Sequence, residues 1–178
     1  MQWLNEPAVW KQERDTLFVT SDAATDFWRI THCGEIHDNG HFYYQSVTGD
    51  FTAEATLKGD YHDLYDQSGL MVRLDEACWL KCGVEYVDGE RHVSAVVTRE
   101  WSDWSMILLP GTDPVSIRVR RLGGSFEIYY AAGGNDYTMY RLAFLTEASP
   151  LMVGTMSASP TGKGFTAQFE RFIVAKES

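Results

Sequence analysis

Several things are scarce in this chain. Lys and Arg number 15 against 25 Asp and Glu, a formal net charge of −10. Nucleic acids and anionic membranes attract basic patches, so this balance argues against either as a partner. Cysteines number three, an odd count with no paired framework, which suits reduced thiols in the cytoplasm rather than a disulfide scaffold. No apolar run approaches the roughly 18 residues of a membrane span. The opening stretch, MQWLNEPAVWKQER, lacks a basic region followed by an apolar one, so no leader peptide is expected in it. Helical periodicity is hard to find, and no linker, low-complexity tract or internal repeat stands out.

What is there suits one folded domain over residues 1–178: hydrophobic residues make up 44% and aromatics 13%. Short alternating runs recur, broken by Gly, Asp and Asn: LFVTS, FTAEATLKG, SGLMVRL, WLKCGVEYV, HVSAVVT, VSIRVRRL, FEIYYA, LMVGTMSAS and FTAQFERFIVA. That rhythm predicts an all-β sandwich or barrel.

Turn chemistry fixes registers. In VDGE, Asp88-Gly89 is a two-residue hairpin signal. It pairs Val87 with Glu90, Glu85 with His92, Gly83 with Ser94, Lys81 with Val96 and Trp79 with Thr98. The intervening pairs are all apolar, which opposes a one-residue slip. A three-residue loop at Asp75–Ala77 pairs Leu74 with Cys78, and then Arg73 with Trp79, Met71 with Lys81, Gly69 with Gly83 and Gln67 with Glu85. Arg73 over Trp79 would be a cation–π pair. In LGGS, a third hairpin sets Val119 against Ile128 and Ile117 against Tyr130, with Arg120 facing Glu127 and Arg118 facing Tyr129 on a solvated face.

The first two hairpins create a polar face whose members are Gln67, Gly69, Met71, Arg73, Trp79, Lys81, Gly83, Glu85, His92, Ser94, Val96 and Thr98. Glycines inside a strand often mark close approach by something else. Gly69 beside Gly83 would floor a groove, with Trp79 as a stacking platform and Lys81 and Glu85 aiming hydrogen bonds at hydroxyls or a carboxylate. On that expectation Gly83→Leu fills the groove and leaves the fold intact.

TDFWR, DNGHFYY, YDQSGLMVR, WLKCGVEY and SDWS, in that order, resemble a bacterial and fungal family of unknown function that includes the yeast regulator-of-enolase protein. The resemblance implies a concanavalin A-like lectin/glucanase fold, two antiparallel sheets packed as a curved jelly roll, whose relatives often bind sugar on the concave sheet. It brings no established functional residue. Many relatives of that fold carry a structural Ca²⁺, but no motif here supports one and no cofactor is expected.

Candidate chemistry is limited. Cys78 and Cys82 would lie about 13 Å apart on a strand, too far to share a zinc. The closely spaced carboxylates usual in glycosidases of this fold reduce to Glu85 alone, unless Glu54 shares the face from another strand. Ser94 and His92 are about 6.5 Å apart along one strand and lack a nucleophile elbow. His92 with Glu85 beside it could act as acid and base in a sugar-active enzyme. Trp101, Asp103 and Trp104 in REWSDWS suit sugar recognition, though one Trp packing inside and Asp103 in a turn fit as well. Asp66 and Gln67 could bind hydroxyls or cap a turn. Trp28, Arg29, Asp38 and Asn39 fall in loops or strand ends.

The leading expectation is a binding protein for a carbohydrate or polar metabolite, with Asp66, Gln67, Arg73, Trp79, Lys81, Glu85, His92, Asp103 and Trp104 as ligand contacts and no metal. The alternatives are an enzyme using Glu85 and His92, and a regulatory module that binds another protein.

Overall fold

The computed structural model describes residues 1–112 and 114–177, and among them there is no helix. One seven-stranded sheet runs in the order β1 (Gln2–Leu4), β6 (His41–Val47), β15 (Leu151–Ala158), β8 (Gln67–Asp75), β9 (Cys78–Val87), β10 (Glu90–Arg99), β11 (Trp101–Leu108). The second, also of seven strands, runs β14 (Thr138–Phe144), β13 (Ser125–Ala132), β12 (Val115–Leu122), β7 (Phe51–Gly59), β16 (Thr166–Lys176), β3 (Thr16–Thr20), β2 (Val9–Glu13). All strand pairs are antiparallel, giving the two-sheet sandwich that the alternating runs predict. Between the sheets, Leu70, Val72, Leu80, Val84, Val93 and Val97 pack against Leu57, Ile117, Val119, Ile128 and Phe169. Each set occupies alternate positions, as period two requires.

The register read from the Asp88-Gly89 turn is present throughout, from Glu90 opposite Val87 to Thr98 opposite Trp79. The LGGS hairpin is likewise in the expected register. The β8–β9 hairpin differs at its tip. Asp75, not Leu74, pairs with Cys78, and Leu74 is the extra residue of an irregularity between Arg73 and Asp75. Below it, Arg73, Met71, Gly69 and Gln67 face Trp79, Lys81, Gly83 and Glu85 as expected. A bulge of this kind takes up one residue without moving the rest of the ladder.

A third, two-stranded unit decides what the polar face becomes. β4 (Phe27–Arg29) and β5 (Ile36–Asp38) form a short hairpin outside both sheets. It places Trp28, Arg29 and Asp38 in strands. Phe27 reaches full burial in a second apolar cluster with Phe42, Met71, Trp79, Val96 and Met156, on the face of the first sheet that points away from the main core. The face expected to be open is therefore partly covered by the protein's own hairpin.

Candidate functional site

The covering hairpin is clamped at both ends by cations from the sheet. At its exit, Arg73 donates two hydrogen bonds to Asp38, Nη1 to Oδ1 at 2.6 Å and Nη2 to Oδ2 at 2.7 Å. At its entry, the Lys81 ammonium donates to the Phe27 carbonyl at 2.6 Å, to Gln67 Oε1 at 2.6 Å and to Asp26 Oδ1 at 3.2 Å. An ammonium has three protons, so these acceptors satisfy it. Gln67 also donates from Nε2 to Asp26 Oδ1 at 3.3 Å and to the Tyr65 carbonyl at 3.2 Å. Further along, Ser102 Oγ accepts the Arg29 amide at 2.9 Å, tying β4 to β11.

What the hairpin leaves open is a cleft of about 1530 Å³ at the β10–β11 side. Its floor includes Gln67, Lys81, Glu85 and Val96, and its walls include Trp28, Tyr65, Trp104 and the Pro160–Thr161 turn. Glu85 is 7% exposed and Trp104 is 38% exposed. The Trp104 indole Nε1 donates to Glu85 Oε2 and to Ser94 Oγ, each at 3.0 Å. Tyr65 meets Trp104 edge to face, with ring centroids 6.3 Å apart and planes at 80°. The two rings make a corner beside a carboxyl group. Ala24, His32 and Tyr65 on the cleft wall all have positive φ, at 57°, 73° and 69°. Non-glycine residues adopt that conformation seldom and at a cost, and such strain gathers at functional sites.

Burial pushes the Glu85 carboxyl above its ordinary value of 4.5, against the smaller downward pulls of the Lys81 ammonium, Ser94 and Trp104. Between pH 4.5 and the raised folded value, the folded protein holds more of this carboxyl proton than the unfolded chain does. The stability this confers is complete below pH 4.5 and is lost as pH rises through the raised folded value. Glu85→Gln should therefore gain stability relative to wild type as pH rises from acid to neutral. Urea unfolding of both proteins at acid and neutral pH checks this; a gap that does not widen with pH would contradict it.

The sequence-derived site residues divide into those that line the cleft and those that do not. Gln67, Lys81, Glu85, Asp103 and Trp104 line the cleft. Arg73 and Trp79 do not. Trp79 is fully buried in the second apolar cluster and donates its indole N–H to the Glu76 carbonyl, so it cannot be a stacking platform. Arg73 lies over Phe27, 5.8 Å from the ring centroid, and the cation over Trp79 is Lys81, also at 5.8 Å. Asp66 is a loop cap. It accepts the His62 and Asp63 amides and the Ser159 hydroxyl, and is fully buried away from any ligand. His92 stands opposite Glu85 in register, but its Nδ1 faces the Glu90 carbonyl at 3.2 Å and it is not among the cleft residues. An acid–base pair with Glu85 is thus not assembled.

Other expectations need correction. Lys81 is not free to aim at a ligand, because its three acceptors are protein atoms. Asp103 is held by Arg141 at 2.8 Å, which joins the edges of the two sheets. Glu54 lies on β7 in the other sheet, bound to Arg118 at 2.6 Å, and cannot share the face with Glu85. Gly69 and Gly83 do not leave room for a ligand. A Cβ on Gly83 would collide with the Ser68 carbonyl and the Gly69 Cα, and one on Gly69 with the Cys82 carbonyl. Sequence reasoning missed Asp26 and Tyr65. Both sit inside motifs already singled out, TDFWR and YDQSG, but nothing local says that they meet Gln67 and Trp104 across the fold.

Among the described residues, one group of metal-ligating types comes together: His62, Asp63 and Asp66, with ligand atoms within 4.8 Å of one another. Their carboxylates already accept backbone amides and the Ser159 hydroxyl of the same loop region. Cys33, Cys78 and Cys82 are free thiols.

The chain belongs to the family described as "Protein of unknown function (DUF1349)", whose model matches residues 3–177. It is 35% identical over 171 residues to the Saccharomyces cerevisiae protein named "Regulation of enolase protein 1", covering 96% of this chain and 86% of the relative. A crystal structure of a functionally unknown Saccharomyces cerevisiae protein is similar throughout, with a TM-score of 0.95, 34% identity and coverage of 99% of this chain and 96% of the other. The xylan β-1,4-xylosidase from Bacillus halodurans C-125 shares the fold at a TM-score of 0.73 and 15% identity; the match takes in 91% of this chain but 33% of the xylosidase. The sandwich is thus of the concanavalin A-like lectin/glucanase type.

Proposed function

We propose that this member of the family binds a small hydroxylated ligand, a carbohydrate or a comparable polar metabolite, in the cleft beside the β4–β5 hairpin. The observation that carries the reading is the Glu85–Trp104–Tyr65 corner. A nearly buried carboxyl group is held by an indole N–H, and two aromatic rings meet next to it at 80°. A sugar ring has apolar faces that stack on aromatics and hydroxyls that donate to a carboxylate. The carboxylate oxygens offer about four acceptor positions, and the indole and the Ser94 hydroxyl fill two. Sandwiches like this one occur within carbohydrate-active proteins such as the xylosidase, which supports the reading by analogy of fold.

A thermal-shift screen of neutral, amino and acidic monosaccharides tests it. A ligand at ten times its Kd stabilises by about 1.4 kcal/mol, or roughly 3–5 °C for a domain of this size. If no saccharide raises the midpoint, the cleft is not a sugar site. With a positive ligand in hand, Trp104→Ala should weaken its binding by about tenfold, since it removes a stacking ring worth about 0.5–1.5 kcal/mol and the donor that orients Glu85.

A catalytic reading has one supporting observation, the raised pKa of Glu85 in a cleft. With His92 engaged at the Glu90 carbonyl, Glu85 would act as a lone general acid. Consumption of a bound saccharide, followed by chromatography, would favour it. A protein partner is supported by the regulatory name of the yeast relative. The exposed Trp101, Met106, Ile107 and Leu108 of edge strand β11 are the surface it would use.

A further inference from the structure

Once the cleft's internal pairs are assigned, Glu85 on its floor is left without an ion pair, and this bears on the ligand class. Asp26 is paired with Lys81 at 3.2 Å and Asp103 with Arg141 at 2.8 Å, while Glu35, exposed at the cleft wall, meets His37 Nε2 at 3.0 Å in a contact that is an ion pair only when the imidazole is protonated. Arg99 lies over the Phe144 ring, 5.1 Å from its centroid. Among the described residues, Glu85 is the buried cleft carboxylate that forms no ion pair. The Lys81 ammonium, whose charge acts on Glu85, already has three protein acceptors.

Resting on the cleft as the ligand site, we propose that its ligand carries a positively charged amine on a hydroxylated frame, as an amino sugar does. An ammonium placed at Glu85 supplies the missing counter-charge in a poorly solvated position, where such pairs are strongest. The same group would lie against the Trp104–Tyr65 corner, and aromatic faces attract ammonium groups, Trp most of all. A carboxylated or phosphorylated sugar meets the opposite conditions. It would bring a like charge to Glu85, and Arg99, the cleft cation outside an ion pair, lies over Phe144 and not among the floor residues beside Glu85. A neutral sugar can accept the geometry but leaves the carboxylate without a partner charge. The net charge of −10 acts in the same direction, concentrating cations near the protein.

Isothermal titration near neutral pH and at low salt, with glucosamine, N-acetylglucosamine, glucose and glucuronate in parallel, tests this. Glucosamine and glucose differ in one substituent of similar size, an ammonium in place of a hydroxyl, and N-acetylglucosamine keeps the nitrogen but masks its charge with an acetyl group. The expected result is glucosamine binding at least about tenfold tighter than either neutral sugar, a difference of about 1.4 kcal/mol, with glucuronate silent. The preference should shrink with added salt and disappear in Glu85→Gln. Neutral sugars binding as tightly as glucosamine would overturn the amine but leave the cleft a sugar site. A Glu85→Gln protein that keeps the preference would also overturn it. Silence from all four sugars would remove the sugar reading of the cleft together with the inference.

Discussion

Lys81→Met is expected to destabilise the protein by about 3–5 kcal/mol, the usual loss when one member of a buried ion pair is removed. Lys81 is 5% exposed, and its ammonium joins Asp26, Gln67 and the Phe27 carbonyl. Methionine matches the aliphatic stem and keeps the packing against Trp79, so the loss isolates the polar contacts. Removing the ammonium leaves the buried Phe27 carbonyl and Gln67 side chain short of a donor and Asp26 without its counter-charge. Asp26 retains 19% of its side-chain exposure, so water softens its share and the loss should fall near the lower end. The damage should be local first. The β4–β5 hairpin loses its entry clamp while Arg73–Asp38 still holds its exit. Urea unfolding measures the first effect, and limited proteolysis between residues 30 and 35 measures the second. A loss under about 1 kcal/mol, the range of exposed pairs, would mean that the cluster is solvated and not a clamp.

Gly83→Leu is expected to abolish folding, the reverse of what the strand pattern alone suggests. β8 and β9 approach so closely at Gly69 and Gly83 that a first side-chain carbon on Gly83 would occupy the space of the Ser68 carbonyl. The obstacle is backbone in the middle of a seven-stranded sheet, so no rotamer change relieves it. Either the strands part, breaking the ladder over Ser68–Leu70, or the chain does not fold. Overpacking typically costs about 1–3 kcal/mol where side chains can adjust, and here they cannot, so the loss should exceed about 4 kcal/mol. Gly83→Ala already carries the clash and should be clearly destabilised. Gly134→Ala, at a position where an added carbon meets nothing within 4 Å, serves as the control. Soluble yield and the thermal midpoint are the readouts. A Gly83→Leu protein with a wild-type midpoint would restore the glycine pair as an open groove.

The sequence by itself determined the sandwich. Alternation at period two, broken by Asp-Gly and Gly-Gly turns, specifies both the strands and the side each residue faces, because a one-residue slip would expose every core side chain. That is why Glu85 opposite His92, and Gly69 opposite Gly83, are as read. Leu74 escaped because a bulge adds a residue without changing the pattern around it. What the sequence did not contain was the fate of the outer face. Local pattern says that Trp79, Lys81 and Arg73 point away from the main core; it does not say what lies above them. Only the tertiary structure brings Asp26, Phe27 and Asp38 from 35 to 55 residues earlier to cover that face, turning Trp79 into core and both cations into clamps. Glu85 and Trp104 stay at the cleft because the hairpin ends short of them. Covering a sheet depends on contacts between segments distant in the chain, with no period or spacing to announce them.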